Sequence, residues 1–356
     1  MYLDELKCQA FRCLADIRFE PSRNINLIRG KNAHGKTSLL EAILFAATSK
    51  SHRTTVEADL AAHGEEGFRI ALHVMRADRE VALEVNWWQG DKRVKVNGVP
   101  QSRMSDTLGK VRVVLFSPED IALVKGSAST RRKFLDMELS QLSPAYLNAL
   151  QHYRQVLRQR NELLRAQQPD SAQLDAWDEQ LIRYGRILIR ERASFTEELG
   201  EFSARAYNAI AHEEKLTLHY RPDIPEDGLE KALQDSRASD MRRKQTSHGP
   251  HRDEIDFIID GKPARSHASQ GQQKSAALAV KLAELELVRQ RTDEYPILML
   301  DEVLAELDAG RANRLFDAID EEVQCILTTT ELCHTRNVPT RGATIFMMEN
   351  GNLSRL

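Results

Sequence analysis

Long apolar runs are missing from this sequence. No stretch of its 356 residues approaches the ~18 apolar residues that a membrane-spanning helix needs. The opening MYLDELKCQAFRC is too charged to read as a signal peptide. Cysteine is scarce as well. Cys8, Cys13, Cys325 and Cys333 have neither metal-ligand nor disulfide-framework spacing, so buried thiols in a reducing compartment are expected. Nor is there an excess of positive charge: 50 Lys and Arg stand against 53 Asp and Glu, for a net charge of −3. No global basic field draws nucleic acid in, and any such surface must be a local patch. Internal repeats and low-complexity segments are absent too. Together these absences lead to the expectation of a soluble cytoplasmic protein that engages no membrane.

What is present is enough apolar sequence, 41%, to bury a large core, either as two domains or as one domain with a large insertion. Residues 1–28 carry short apolar alternations that end in INLI. Between 68 and 116, FRIALHVM, VALEVNW, KRVKVNG and VRVVLF read as strands, with Asn97-Gly98 as a turn between two of them. From about 120 to 245 the text is rich in Arg, Gln, Leu and Glu, poor in Gly and Pro, and apolar at helical spacing. Strand patterns resume at EIDFIIDGK, PILMLDE, QCILTTT and GATIFMM, interleaved with helical segments 272–290 and 303–320. That alternation predicts a mostly parallel, buried sheet.

The segment GKNAHGKT, Gly30 to Thr37, satisfies the full G-x-x-x-x-G-K-[ST] pattern between a strand-like INLI and a helix-like SLLEAILFAA. The loop then sits at a helix N-terminus, where free backbone N–H groups and the helix dipole hold phosphate. Gly30 and Gly35 permit the turn, Lys36 neutralises the β- and γ-phosphates, and the Thr37 hydroxyl ligates Mg²⁺. Lys31, Asn32, Ala33, His34 and Ser38 complete the expected ATP contacts. In PILMLDE, four consecutive apolar residues read as a buried strand that delivers Asp301 and Glu302 to the ligand-binding edge of a sheet. Asp301 then holds Mg²⁺, directly or through water, and Glu302 polarises the attacking water. The bland alternative makes them charges at a helix start. Glu306-Leu307-Asp308 supplies more acid, blandly a solvated helix face.

A fourth stretch, SHASQGQQKS (266–275), puts one glycine among three glutamines just before the helical AALAVKLAELELV. Ser269 at an N-cap explains part of it, while capping alone leaves the glutamines unexplained.

In this order, GKNAHGKT, SQGQQK (269–274), PILMLDE (296–302) and AELD (305–308) resemble the Walker A, signature, Walker B and D-loop motifs of ABC-type ATPases. Within that class, LFSPEDIALVKGSASTRRKFLD (115–136) and SHGPHRDEIDF (247–257) extend the resemblance to the RecF family of bacterial recombination mediators over the whole length. It implies an α/β, ABC-type P-loop ATPase head, a mixed sheet with helices, and an inserted helical lid. The expected divisions are 1–119 and 246–356 for the head and 120–245 for the lid. It also implies that Ser269, Gln270, Gly271 and Gln272 cap the γ-phosphate of a nucleotide held by a second copy, with Ser269, Lys36 and Glu302 as the catalytic set.

The sequence departs from the superfamily in places. Gln270 stands where most members have a first Gly, no Q-loop glutamine is evident near FSPED (116–120), and TTTE (328–331) occupies the switch position where many relatives place His. His334 lies nearby. These departures fit a slow ATPase that uses ATP as a switch. The insertion exceeds what a transporter ATPase needs and falls far short of the coiled coils of SMC proteins; without C-x-x-C it has no zinc hook. Helices of about 30 residues, at ~1.5 Å per residue, make an arm of only ~45 Å.

Two cation clusters, Arg131-Arg132-Lys133 and Arg242-Arg243-Lys244, are candidates for DNA phosphates or parts of ordinary helix faces. Arg252 serves either the nucleotide or an internal ion pair. Trp87-Trp88 either stacks on bases or divides between core and surface. By resemblance, the expected function is an ATP-dependent homodimer that binds DNA at single-strand gaps and duplex junctions. RecO and RecR are the expected partners in loading RecA. Two alternatives remain: the soluble ATPase subunit of a membrane transporter, and a structural SMC-like protein without turnover.

Overall fold

The computed structural model describes residues 1–77, 79–167, 170–211, 214–306, 309–330 and 342–356, without the side chains of residues 104, 305, 306 and 309. By their internal contacts these residues form two units. Unit 1 comprises residues 1–120, 205–213 and 277–356, and unit 2 comprises 121–204 and 214–276.

Unit 1 begins with alternation. Strands β1 (Tyr2–Phe11) and β2 (Leu14–Phe19) precede β3 (Ile25–Arg29) and helix α1 (Lys36–Thr48), and the chain returns through β4 (Gly67–Met75), β5 (Glu80–Trp88), β6 (Asp91–Val96) and β7 (Val99–Pro100). In β5, Val81, Leu83, Val85 and Trp87 are buried while the residues between them face outward, as period-2 patterning requires. The resulting antiparallel sheet runs β2-β1-β4-β5-β6-β7. Asn97 and Gly98, at φ 50° and 78°, supply the two left-handed positions of a tight hairpin turn. That turn leads into the short β7, which the sequence reading did not anticipate.

Uninterrupted apolar runs build the other sheet of unit 1. Its members are β3 and, further on, β8 (Val113–Phe116), β12 (Ile297–Asp301), β13 (Cys325–Thr329), β14 (Thr344–Glu349) and β15 (Asn352–Arg355). The order is β15-β14-β3-β13-β12-β8, parallel throughout except for β15 on β14. Every residue of β12 and β13 is buried, as expected of a parallel sheet covered on both faces. Apart from Thr37, all of α1 is buried, and it touches strands of both sheets. Its Leu39, Leu40, Ile43 and Phe45 join one core with Leu3, Phe11, Leu72, Val85, Met299 and Ile326. Parallel register brings the carboxyl ends of three strands to one edge: Asp301 pairs with Thr328, and Thr329 with Arg29.

Unit 2 is helical with one small sheet. Ser127 and Ser143 cap helices α3 (Ala128–Leu142) and α4 (Pro144–Leu164), which follow the short α2 (Ile121–Lys125). Helix α5 (Ser171–Ala211) has 41 residues, about 60 Å at 1.5 Å per residue, longer than the arm expected from sequence. Strand β9 (Leu216–Arg221) interrupts the segment expected to be helical, before α6 (Leu229–Arg243). It pairs with β10 (Glu254–Ile259), which also carries β11 (Lys262–Pro263). This ladder draws residues 246–276 into unit 2, whereas the sequence reading assigned them to the head. Helix α7 (Ala264–His267) follows, α8 (Gln270–Thr292) belongs to unit 1 from residue 277 onward, and α9 (Ala309–Asp317), also of unit 1, comes between β12 and β13 in the chain. Among the described residues no helix is long and apolar enough to cross a membrane.

Polar side chains organise the interior of unit 2. The buried Arg192 guanidinium donates to Pro250 O, Asp253 Oδ2, Asp136 Oδ1 and the Tyr146 hydroxyl at 2.6–3.0 Å. Burial pushes the Asp136 carboxyl up, but Arg192 and the Tyr146 hydroxyl hold it below the usual range. Arg160, fully buried, reaches Asp178, Asp240 and Thr246 at 2.5–2.9 Å.

Candidate nucleotide-binding site

At the end of β3 the chain enters the loop Gly30–Gly35. A Cβ on Gly30 would stand 2.3 Å from Met348 O, so only glycine lets the loop pass β14. Gly35 has φ +110° and is the N-cap of α1 without any side-chain cap. The first backbone bond of the helix is Leu39 N to Gly35 O at 3.0 Å. The N–H groups ahead of it have no intrahelical acceptor, which is the arrangement that receives an anion. Lys31, Asn32 and Ala33 are exposed, His34 is half-buried, and the His34 carbonyl accepts from Gly351 N at 3.0 Å. Ser38 is buried and faces the Cys13 thiol at 3.6 Å. Lys36 is buried, with Nζ donating to Gly30 O at 2.8 Å and Lys31 O at 3.0 Å; the same Nζ lies 3.1 Å from Glu302 Oε1.

The acidic pair completes this edge. Asp301 Oδ1 accepts from Thr37 Oγ1 at 3.1 Å and from Thr328 Oγ1 at 2.7 Å. Burial pushes the Asp301 carboxyl above its usual range against these two hydrogen bonds. Thr328 also accepts from Glu302 N at 3.0 Å, and Glu302 has φ +52°, a left-handed conformation that is strained for a non-glycine residue. Thus Lys36, Thr37, Asp301 and Glu302 meet at one edge. Adjacent oxygens on an octahedral Mg²⁺, each ~2.1 Å from the ion, lie about 3 Å apart, close to the separation of the Thr37 hydroxyl and the Asp301 carboxylate. The pair therefore fits the ion that accompanies a nucleotide. Two members of the site escaped the sequence reading. Thr328 was visible only as the first Thr after QCIL, while His52, whose Nδ1 is buried without a hydrogen-bond partner, acts electrostatically on Asp301.

The signature segment belongs to unit 2. Ser269 Oγ accepts from Gln272 N at 3.2 Å and Gln272 Oε1 accepts from Ser269 N at 2.7 Å, a reciprocal capping box. Gln272 Nε2 also reaches Glu214 at 2.8 Å, and Gln273 Nε2 donates to Ala264 O and Ala268 O. Local structure therefore accounts for two of the three glutamines, contrary to the expectation that capping would leave them unexplained. Ser269 and Gln270 are exposed, and Gly271 is half-buried.

The two cation triplets part company. Arg131 is buried in a two-pronged pair with Glu254 at 2.5 and 2.9 Å, and Arg132, half-buried, donates to Asp253 O at 2.7 Å. Only Lys133 of that triplet is exposed, so Arg131 is a structural residue and no phosphate ligand. Arg242, Arg243 and Lys244 are all exposed. Trp87 is buried and stacks on Phe68 at 5.7 Å, whereas Trp88 is 58% exposed. Leu307 and Asp308 of the D-loop, together with Glu331, Cys333 and His334, lie outside the described residues.

A glycine loop at the carboxyl edge of a parallel sheet, an acidic pair at the end of β12, separated from β3 by β13, an antiparallel sheet in the same unit and an inserted helical segment define an ABC-type P-loop ATPase head. The RecF/RecN/SMC N-terminal domain model matches residues 2–354. A DNA replication and repair protein RecF of Streptococcus pneumoniae (strain CGSP14) is 39% identical over 360 residues, covering 99% of this chain and 98% of that protein. Its counterpart in strain P1031 is 38% identical over 363 residues, 99% of each. The solved structure of the recombination mediator protein RecF-ATP in the RecFOR pathway superposes with a TM-score of 0.92 at 32% identity, over 100% of this chain and 97% of that one. An Smc head bound to the C-terminal winged-helix domain of ScpA, 17% identical with a TM-score of 0.59 over 100% of this chain and 97% of that one, shares the fold. The chain belongs to the RecF family.

Proposed function

We propose that this chain is a cytoplasmic, ATP-dependent DNA-binding protein of recombinational repair. ATP closes a homodimer, the dimer holds DNA at single-strand gaps and duplex junctions, and slow, DNA-stimulated hydrolysis releases it. RecO and RecR act with it to load RecA. The observation that carries this reading is the convergence of Lys36, Thr37, Asp301 and Glu302 at one sheet edge in a chain that matches RecF proteins end to end. That full-length likeness favours repair over the transporter-subunit alternative.

Within the site, residues 30–38 cradle the phosphates through backbone N–H groups, with Lys36 on the β- and γ-phosphates. Thr37 and Asp301 hold Mg²⁺, which supplies charge neutralisation on the phosphate oxygens. Glu302 turns from Lys36 to orient the water that attacks the γ-phosphate. Ser269, Gln270, Gly271 and Gln272 cap the nucleotide of the other copy.

The test pairs a steady-state ATPase assay, with and without DNA, with particle size in excess ATP. Glu302→Gln is expected to retain ATP binding, to lose turnover by about a hundredfold or more, and to accumulate dimers; Lys36→Met stays monomeric. An ATP-bound but monomeric Glu302→Gln protein contradicts the switch.

A further inference from the structure

Arg242, Arg243 and Lys244 end α6, and the structure shows what stands beside them. Lys244 turns left-handed at φ +55° and its N–H returns to Asp240 O, closing the helix. The chain leaving this cap docks on α4. Asn161 Oδ1 accepts from both the N–H and the hydroxyl of Thr246 at 2.7 Å, and the neighbouring Arg160 holds Asp240 and the same hydroxyl. Asn161 shares one stripe of α4 with Arg158 and Arg165, which stand three residues before it and four after. Two more cations therefore flank the point where the α6 cap is tied down.

Arg158, Arg165, Arg242, Arg243 and Lys244 are all exposed, and none has a carboxylate partner among the described residues. One exposed acid, Glu162, shares the stripe without pairing to either arginine. Cations at helix ends complement the helix dipole, which accounts for Arg165 and the end of α6. It does not account for Arg158, since the dipole effect fades within the last turn. In a chain of net charge −3, five unpaired cations against one acid make a local anion-attracting field.

We infer that α4 and the cap of α6 form a docking surface for the phosphate backbone of duplex DNA, an assignment that rests on the DNA-binding reading above. Neither RQRNELLR (158–165) nor DMRRKQTS (240–247) contains an aromatic residue on which unpaired bases would stack. A cationic surface without a stacking platform suits a duplex, whose bases are already stacked on one another, over a single strand.

The test is the salt dependence of binding to a short blunt duplex and to a single strand, with ATP present. Replacing both residues, Arg158→Gln with Arg165→Gln, is expected to lower the log–log salt slope on the duplex by about 2 and to leave the single-strand slope unchanged. Arg158→Lys with Arg165→Lys keeps the charge and is expected to keep the slope, which separates phosphate contact from a lost packing role. An unchanged duplex slope in the Gln variant overturns the surface while DNA binding by the wild type stands. A loss confined to the single strand overturns the choice of duplex. A wild-type protein that binds no DNA at all overturns the reading beneath it and this surface with it.

Discussion

Thr328 shows how a residue gains a role through its neighbours. Its hydroxyl donates to Asp301 and accepts from Glu302 N, so one side chain fixes both acids. Thr328→Val keeps the shape and removes those bonds. We expect a loss of about 1–3 kcal/mol in urea unfolding and turnover reduced about tenfold or more as Glu302 drifts, with ATP affinity retained through Lys36. Unchanged turnover would show that Glu302 holds its position without Thr328. At this scale the sequence was legible where the pattern is local: Gly30, Gly35, Lys36 and Thr37 belong to one short loop. It was not legible where register or long separation makes the pair. Arg131 looked like a free cation because its acid, Glu254, lies 123 positions away, and Thr328 meets Asp301 only because β12 and β13 lie side by side.

Among the elements, those with a clear period were readable: β4, β5 and β6 by alternation, β12 and β13 by unbroken apolar runs. β9 was missed because LTLHYR is short and sits in a segment whose composition is helical; its partner β10 lies beyond α6. The turn that leads into β10, Pro250–Arg252, is held to α4 by a neutral histidine. Tyr153 donates to His251 Nδ1 at 2.7 Å, which leaves Nε2–H for Thr246 O at 3.3 Å. Burial pushes the His251 imidazole down to about 4, so the unfolded chain takes up a proton before the folded one does. Stability is then full above the ordinary histidine value near 6.5 and is lost as pH falls towards 4, by about 3 kcal/mol at ~1.4 kcal/mol per unit. Urea unfolding of wild type and His251→Gln across that window is expected to show the loss only in the wild type. Parallel curves would mean that His251 titrates normally.

For the whole molecule, motif order carried the reading further than composition did. Walker A, signature and Walker B in sequence implied an ATPase head with an insertion, and the two sheets of unit 1 have that form. Which residues belong to which unit was less legible, because the β9–β10 ladder joins segments on either side of α6. The central claim is that residues 269–272 complete the nucleotide site of another copy. The most direct measurement mixes two inactive proteins, Lys36→Met and Ser269→Arg, with ATP and DNA. In a mixed dimer the intact P-loop of the Ser269→Arg chain meets the intact cap of the Lys36→Met chain, restoring one site only if the cap acts in trans. Wild type mixed with excess Lys36→Met, if it retains partial activity, shows that one good site turns over alone. With that control in hand, hydrolysis by the mixture is the predicted result, and silence would contradict a cap that acts across the dimer.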